Sequence, residues 1–353
     1  MRVLAIESTC DETAASVVES FGDGVRVISS VVASSVVMHE KYGGIIPEIA
    51  AREQIKSIIP VIEESLKNIG WENVDAIAAS FGPGLMGSLL VGVETAKVLA
   101  WTHNKKLLKV NHVNAHLMAN WIVGMDCFGS STKLAMTQEL PEMTAVGLIA
   151  SGGHTDFVLL ESPKKWKWIG GTRDDAVGEA FDKAARSFGL PYPGGPEIDR
   201  VTKTVSDKEY SELEKKNRLP RPLILDKTLD MSFSGLKAAV TRVSSQFTDY
   251  SSQVERDIYI RDFSEAVTEV VVAKTKIALE EYKPKSLLLG GGVAANSKIR
   301  EALRSLENEF GVKFFVPELK YCGDNAAMIG AAAILNSIEV SLNDYPEPGM
   351  DVV

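Results

Sequence analysis

The chain has 353 residues, enough for two domains of ordinary size, and its 45% apolar and 24% charged composition excludes a disordered or low-complexity protein. A net charge of −9 excludes a uniformly basic nucleic-acid coat, so any such site must be a local basic patch. Cys10, Cys127 and Cys322 are far apart and form no CxxC, which excludes a disulfide scaffold or thiolate zinc cluster and suits a reducing compartment.

Arg2–Glu7 and Ala14–Glu19 are apolar and β-branched and predict two strands around the polar turn Ser8–Thr13; Val25–Ser34 predicts a third. The first run is cut by Glu7 and is too short for a signal peptide. Pro47 opens a helix to about Asn68, with Ile49, Ile55, Ile58, Ile59, Ile62 and Leu66 at helical spacing and Gly70 as its stop. A strand at Asp75–Ser80, a turn at Phe81–Gly84, a helix to about His103 and a strand at Leu107–Val110 follow. The most apolar stretch, Leu85–Ala100, carries Glu94 and Lys97, so no membrane span is expected and a soluble, cytoplasmic protein is. Residues 124–143 lack periodicity and read as a long connecting loop.

The second half begins like the first. Strands at Ala145–Ala150 and Asp156–Glu161 flank the turn Ser151-Gly-Gly-His-Thr, and this hairpin can be laid over the first, each ending in Glu-Ser. The match suggests a duplicated α/β lobe with a cleft between two facing turns. Residues 176–282 are mostly helical, broken at Pro191–Pro196 and Pro220–Pro222. Strands at Ser286–Leu289 and Val312–Val316 and helices at Ala294–Glu309 and Asp324–Asn336 complete an alternating α/β pattern, and the acidic tail from Asn343 reads as loose.

Three patterns bear on chemistry. His112 and His116 are i, i+4, about 40° apart around a helix and on one face, a spacing that suits two imidazoles on one metal. It is not HExxH, since Val113 follows the first histidine, and the pair alone is also common among ordinary histidines. Asp324, which starts a helix of small residues, is a candidate third ligand or a plain N-cap. Glycine-rich turns follow three strands, at Phe81-Gly-Pro-Gly, Ser151-Gly-Gly and Leu289-Gly-Gly-Gly; they admit a nucleotide to the backbone, with neither a P-loop nor GxGxxG present. Carboxylates cluster at Asp11-Glu12, Asp174-Asp175 and Glu179/Asp182, as reactive groups or as solvated faces. Residues 200–245 hold ten Lys/Arg and six Asp/Glu, with Lys215, Lys216, Arg218 and Arg221 the densest part and a candidate phosphate contact.

Ten motifs in order carry a family resemblance. They begin Glu7-Ser-Thr-Cys-Asp-Glu-Thr, His39-Glu-Lys-Tyr-Gly-Gly and Gly82-Pro-Gly-Leu-Met-Gly-Ser, and continue with Asn111-His-Val-Asn-Ala-His, Ser151-Gly-Gly-His-Thr, Gly178-Glu-Ala-Phe-Asp-Lys and Tyr192-Pro-Gly-Gly-Pro. Phe233-Ser-Gly-Leu-Lys, Gly291-Gly-Val-Ala-Ala-Asn and Cys322-Gly-Asp-Asn-Ala-Ala-Met complete them. The chain resembles the TsaD family, the tRNA N6-adenosine threonylcarbamoyltransferases once described as glycoprotein endopeptidases, and Tyr192–Pro196 resembles its bacterial and organellar branch. The resemblance implies the actin/hexokinase/Hsp70-like fold, two ribonuclease-H-like lobes with an interlobe cleft. The first lobe would hold residues 1–111 with about 322–353, the second about 112–321.

It also implies a reaction. The threonylcarbamoyl group of threonylcarbamoyl-adenylate passes to N6 of the adenosine just 3′ of the anticodon, in tRNAs reading codons that begin with A, and AMP leaves. By the same resemblance His112, His116 and Asp324 bind one divalent metal, iron or zinc. Ile149, Ala150, Ser151, Gly152, Gly153, Asp182, Gly195, Asp199 and Asn296 contact the adenylate. Asp11 and Glu12 stand near the reacting carbamoyl group. The implied partners are tRNA, an adenylate-making synthase, an inactive paralogous subunit and a small ATPase. Gln54 departs from the family, which often has histidine there. Three rivals remain. A metalloprotease would lack its glutamate base, a non-catalytic scaffold paralogue would not need the histidines and Asp324, and a sugar kinase or ATPase of the same fold would not need the histidine pair.

Overall fold

The computed structural model describes every residue except 41, 43, 124–138, 215–217, 248–252 and 353. Most of the expected connecting loop 124–143 and both Lys215 and Lys216 therefore lie outside the described residues. In chain order come β1 (Arg2–Glu7), β2 (Glu12–Phe21), β3 (Gly24–Ser34), α1 (Val36–Glu40) and α2 (Pro47–Leu66). Next are β4 (Ala76–Gly82), α3 (Met86–Thr102), β5 (Lys106–Asn111), α4 (His112–Met118) and β6 (Ile122–Val123). The middle of the chain forms β7 (Ala145–Ala150), β8 (Thr155–Ser162), β9 (Lys165–Gly171), α5 (Val177–Ser187), α6 (Gly194–Thr202), α7 (Asp207–Glu214), α8 (Ser234–Ser244) and α9 (Gln253–Tyr282). The last elements are β10 (Ser286–Gly290), α10 (Ser297–Arg304), α11 (Leu306–Phe310), β11 (Lys313–Phe315), α12 (Ala326–Asn336) and β12 (Ile338–Val340).

The strands make two sheets, ordered β12-β5-β4-β1-β2-β3-β6 and β11-β10-β7-β8-β9. Without the edge strands β12 and β6, the first reads fifth, fourth, first, second, third, and the second sheet has the same order. β1 is antiparallel to β2 and parallel to β4, and β4 is parallel to β5. Likewise β7 is parallel to β10, and β10 to β11. Both sheets thus carry the ribonuclease-H strand order, and the two similar hairpins are the first two strands of each. The fold is the duplicated α/β class of the actin/hexokinase/Hsp70 type.

By its contacts the chain forms two compact units. One holds Met1–Glu142, Leu160–Trp166 and Pro317–Val353, the other Met143–Leu159 and Lys167–Val316. This division differs from a boundary at residue 111. Residues after 111 cluster with the first unit because β6 pairs with β3 and α4 packs on α12. Both histidines and Asp324 consequently belong to one unit rather than to two.

In that unit α2 and α3 cover the sheet. The buried stripe of α2 is Ala50, Gln54, Ile58, Val61, Ile62, Ser65 and Leu66. Ile58, Ile62 and Leu66 join Leu4, Ile6, Val17, Ile77 and Phe81 in the core. Ile55 and Ile59, expected on the same face, are 64% and 48% exposed, because they lie to one side of a stripe centred on Ile58. α12 packs against β1 and β2. Gly330 makes that approach possible, since a Cβ there would lie 2.4 Å from a methyl carbon of Val18. The tail is not loose. Glu347 N donates to Phe81 O at 2.6 Å, Gly84 N to Pro348 O at 3.2 Å, and Asn111 Nδ2 to Asp351 O at 2.7 Å. Among the described residues no helix is long and apolar enough to cross a membrane.

Candidate functional site

The first unit assembles its polar centre at the carboxyl ends of β1, β4 and β5. β5 ends in Asn111, whose Oδ1 accepts from Asn114 N at 3.0 Å and so caps α4. This cap starts a helix at His112 and sets His112 and His116 on one face, their rings edge to face with centroids 4.9 Å apart. Asp324 meets them from the turn before α12. It is not the N-cap of that helix. Asn325 is, its Oδ1 accepting from Met328 N at 3.0 Å. The Asp324 carboxylate is thereby left for the histidines.

The geometry fits a cation. Asp324 Oδ1 lies 3.6 Å from His112 Nε2 and 3.5 Å from His116 Nε2, and the three ligand atoms fall within 4.8 Å of one another. Direct N–H···O bonds are shorter, roughly 2.7–3.2 Å. Two ligands on one tetrahedral cation, each at about 2.0–2.2 Å, stand about 3.3–3.6 Å apart. Two imidazoles and a carboxylate are also the donor set of open divalent sites, with positions left for substrate.

Glu7 completes this centre, and sequence reasoning missed its role. It is fully buried at the end of β1. Its Oε2 stands 3.0 Å from His112 Nδ1 and accepts from Ser80 Oγ at 2.5 Å, while its Oε1 accepts from Thr9 N at 2.6 Å. Burial alone would raise its pKa, but the charge of His112 and the bonds from His112, Ser80 and Thr9 prevail and hold it at about 2. The reciprocal effect lifts His112. Burial works against its charged form, yet Glu7 and Asp324 push its pKa to about 9. A carboxylate on Nδ1 fixes that nitrogen as the N–H and turns Nε2 toward Asp324. The signal was present in the sequence as a lone charge interrupting an apolar strand. Glu7→Gln is expected to weaken metal binding about 10–100-fold, the usual cost of removing a carboxylate behind a ligating histidine. Calorimetric titration of the metal-free protein measures this, and an affinity equal to the parent's would rule the role out.

Asp11 and Glu12 lie on the turn between β1 and β2. Burial, then the hydrogen bond and charge of Asp11 and the charge of Asp324, raise Glu12 to about 9 against a bond from Ser34 Oγ at 3.0 Å. In the metal-free protein the Glu12 carboxyl keeps its proton at neutral pH. Burial, against the attraction of His112 and with the charges of Glu7 and Asp11, also lifts Asp324, to about 6. Cys10 is held as a thiol by burial and by Asp324, Asp11, Glu12 and Glu7.

The second unit contains a cavity of about 650 Å³. Five of the expected nucleotide residues line it: Gly152, Asp182, Gly195, Asp199 and Asn296. A Cβ at Gly152, Gly153 or Gly195 would meet nothing within 4 Å, so these backbones face open space. Ile149 and Ala150 are instead buried in β7. Ala150 is pressed against Gly291, where φ is +97° and a Cβ would lie 2.3 Å from Ala150 O. Ser151 binds within its own turn, its N donating to His154 O at 2.8 Å and its Oγ accepting from His154 N at 3.2 Å. Asp182 Oδ1 accepts from Gly194 N at 2.7 Å, and burial raises its pKa despite that bond and one from Gly195. Asp199 accepts from Ser297 Oγ at 2.8 Å and from Lys203 Nζ at 2.7 Å. Asn296 caps α10 through Oδ1, which accepts from Ile299 N at 3.0 Å. Its buried Nδ2 has no hydrogen-bond partner and remains an unspent donor on the cavity wall.

Of the expected basic cluster, Lys215 and Lys216 lie outside the described residues, and the two arginines are paired with carboxylates. Arg221, only 10% exposed at its side chain, binds Asp262 at 2.7 Å and Glu269 at 3.0 Å, and Arg218 binds Glu269 at 2.5 Å. Asp174 and Asp175 are likewise occupied. Asp174 accepts from Ser234 Oγ and Phe233 N, and Asp175 pairs with Lys183 and Lys237.

Comparison with known proteins places these arrangements in a family. A family model described as tRNA N6-adenosine threonylcarbamoyltransferase matches residues 26–331. The protein of that name from Moorella thermoacetica is 42% identical over 352 residues, covering 98% of this chain and 96% of the relative. Its counterpart in Persephonella marina is 40% identical, over 93% and 88% of the two chains. A solved ROK hexokinase from Thermus thermophilus aligns over 95% of this chain and 98% of its own, at 14% identity and a TM-score of 0.44. With the histidine pair, Asp324 and the glycine turns all in place along one continuous match, the chain belongs to the tRNA N6-adenosine threonylcarbamoyltransferase family, TsaD.

Proposed function

We propose that this chain transfers a threonylcarbamoyl group from threonylcarbamoyl-adenylate to N6 of the adenosine just 3′ of the anticodon of tRNAs that read codons beginning with A, releasing AMP. The observation that carries the reading is the convergence of His112, His116 and Asp324 at cation spacing beside Asp11 and Glu12, in a chain of this family. The intact ligand set disfavours a non-catalytic scaffold, which has no use for it.

His112, His116 and Asp324 would hold the divalent ion, with iron and zinc both suited to two imidazoles and a carboxylate. When bound, the ion supplies a Lewis acid for a carbonyl or phosphate oxygen. The N6 amine attacks the carbamoyl carbon, the bond from that carbon to the phosphate oxygen breaks, and AMP departs as an anion that needs no proton. The amine proton passes to the Asp11–Glu12 carboxyl pair. Asn296 Nδ2 and the Asp182 carboxyl group offer a donor and an acceptor to the adenylate base or ribose, and the open glycine backbones admit it. The synthase, the inactive paralogous subunit and the small ATPase are the proposed protein partners, in the cytoplasm.

Incubation with tRNA and threonylcarbamoyl-adenylate, followed by nucleoside mass spectrometry, tests the function. Absence of the modified adenosine when the partner proteins are also supplied would sink it. Asn296→Asp keeps the helix cap and removes the free donor. It is expected to weaken AMP and adenylate binding by about 1–3 kcal/mol with the melting temperature unchanged. Calorimetry showing the parent's affinity would remove Asn296 from the nucleotide site.

A further inference from the structure

We infer that Gln54 is a positioning residue for the transfer step: from α2 its amide fixes the turn that carries Asp11 and Glu12. The inference rests on the reading of those two carboxyl groups as the acceptors of the amine proton. Gln54 is fully buried. Its Nε2 donates toward Ser8 O at 3.3 Å, Cys10 O at 3.0 Å and Glu12 O at 3.1 Å. One side-chain nitrogen therefore spans the turn from end to end. A flipped amide would set its oxygen against three carbonyl oxygens, so the network itself decides the orientation.

The other end of the same side chain is the second observation. Gln54 Oε1 is buried with no hydrogen-bond partner. A buried unpaired acceptor is unfavourable and calls for a reason. Here the reason is the nitrogen: its two N–H groups serve three carbonyls of the turn. The remaining carbonyls are held by other elements. Thr9 O accepts from Leu85 N at 2.9 Å, Asp11 O from Ser35 N at 3.1 Å and Ser35 Oγ at 2.8 Å, and Cys10 O also from Ser88 Oγ at 3.1 Å. Every carbonyl from Ser8 to Glu12 thus has a donor. The turn is set by α2, the start of α3 and the end of β3 before any ligand arrives, which is what a reacting pair needs.

The test compares Gln54→Met, of similar length and without a donor, with Gln54→His, which keeps one N–H. Steady-state transfer is measured with threonylcarbamoyl-adenylate and tRNA, alongside metal content. Displacing a reacting group by about 1 Å costs up to about 100-fold in rate. Gln54→Met is expected to lower kcat about 10–100-fold with KM for the adenylate and metal content unchanged, and Gln54→His to fall between it and the parent. A parent-like kcat per metal-loaded molecule in Gln54→Met overturns the inference, as does a loss that tracks metal content. If Gln54→Met does not fold, Gln54→His carries the test, and an unchanged kcat there overturns it. Asp11→Asn in the same assay separates the two readings. An undiminished kcat in Asp11→Asn removes the carboxyl pair from the mechanism and the inference with it. A loss in Asp11→Asn beside a parent-like Gln54→Met sinks the inference alone.

Discussion

Replacing Asp324 by alanine is expected to abolish stoichiometric metal binding and to lower transfer by about 10²–10⁴-fold, the several kcal/mol that a Lewis acid contributes. Asp324 is the one anionic member of the ligand set and approaches both imidazole Nε2 atoms. Its loss leaves two neutral ligands on one helix. The fold should persist, because Asn325 rather than Asp324 caps α12. His112→Ala and His116→Ala are expected to behave alike. Metal analysis of the three purified variants decides the matter: parent-like occupancy in all of them would remove the assignment.

The same site has a pH signature. His112 titrates at about 9 in the metal-free protein, so at neutral pH a proton must leave before Nε2 can ligate. Apparent metal affinity should fall as pH drops below 9, by about tenfold per unit for this one proton. Titrations at two pH values on either side of neutrality read that slope.

Arg221→Leu is expected to destabilise the second unit by up to about 3–5 kcal/mol, the cost of breaking a buried ion pair, less what Arg218 Nε, 3.7 Å from Asp262 Oδ1, retains. Asp262 is fully buried. Its Oδ1 accepts from Arg221 Nη2 at 2.7 Å and Tyr210 Oη at 2.9 Å, and its Oδ2 from Leu219 N at 2.6 Å. Arg221 supplies the nearer of two balancing charges, Arg218 being the other, and also donates to Leu219 O at 2.6 Å. The Arg221→Leu/Asp262→Leu pair should recover much of the loss, since apolar groups of similar volume often replace a buried ion pair at little net cost. Thermal and urea unfolding measure both. A change below about 1 kcal/mol in Arg221→Leu would mean that Arg218 or water balances Asp262 in its place. Lost tRNA binding in such a variant reports lost structure, not a lost phosphate contact.

Some of this was legible along the chain. Strand periodicity and turn residues placed most elements. The likeness of two hairpins, about 15 residues each, foretold a repeated topology because β1-β2 and β7-β8 open two sheets of the same strand order. The i, i+4 histidines needed only the local helix to share a face. Asp324 was legible as a candidate, but between ligand and cap the sequence could not choose. Tertiary structure removes the cap, through one residue of register that gives it to Asn325, and sets Asp324 beside the two histidines. Three further matters also depended on packing. Glu7 looked like an interruption until β1, β4 and β5 brought Ser80 and His112 onto its oxygens. Arg221 looks like part of a solvated basic patch by composition, and only the approach of α9, with Asp262 and Glu269, turns it inward. Gln54 is a polar residue on an apolar helix face, and its meaning lies in three carbonyls 42 to 46 positions earlier in the chain. Local sequence determines what a segment can form, because periodicity and capping act within a few residues. Which charges face each other is set by strands and helices far apart in the chain, where burial makes an unpaired group costly and a paired one specific.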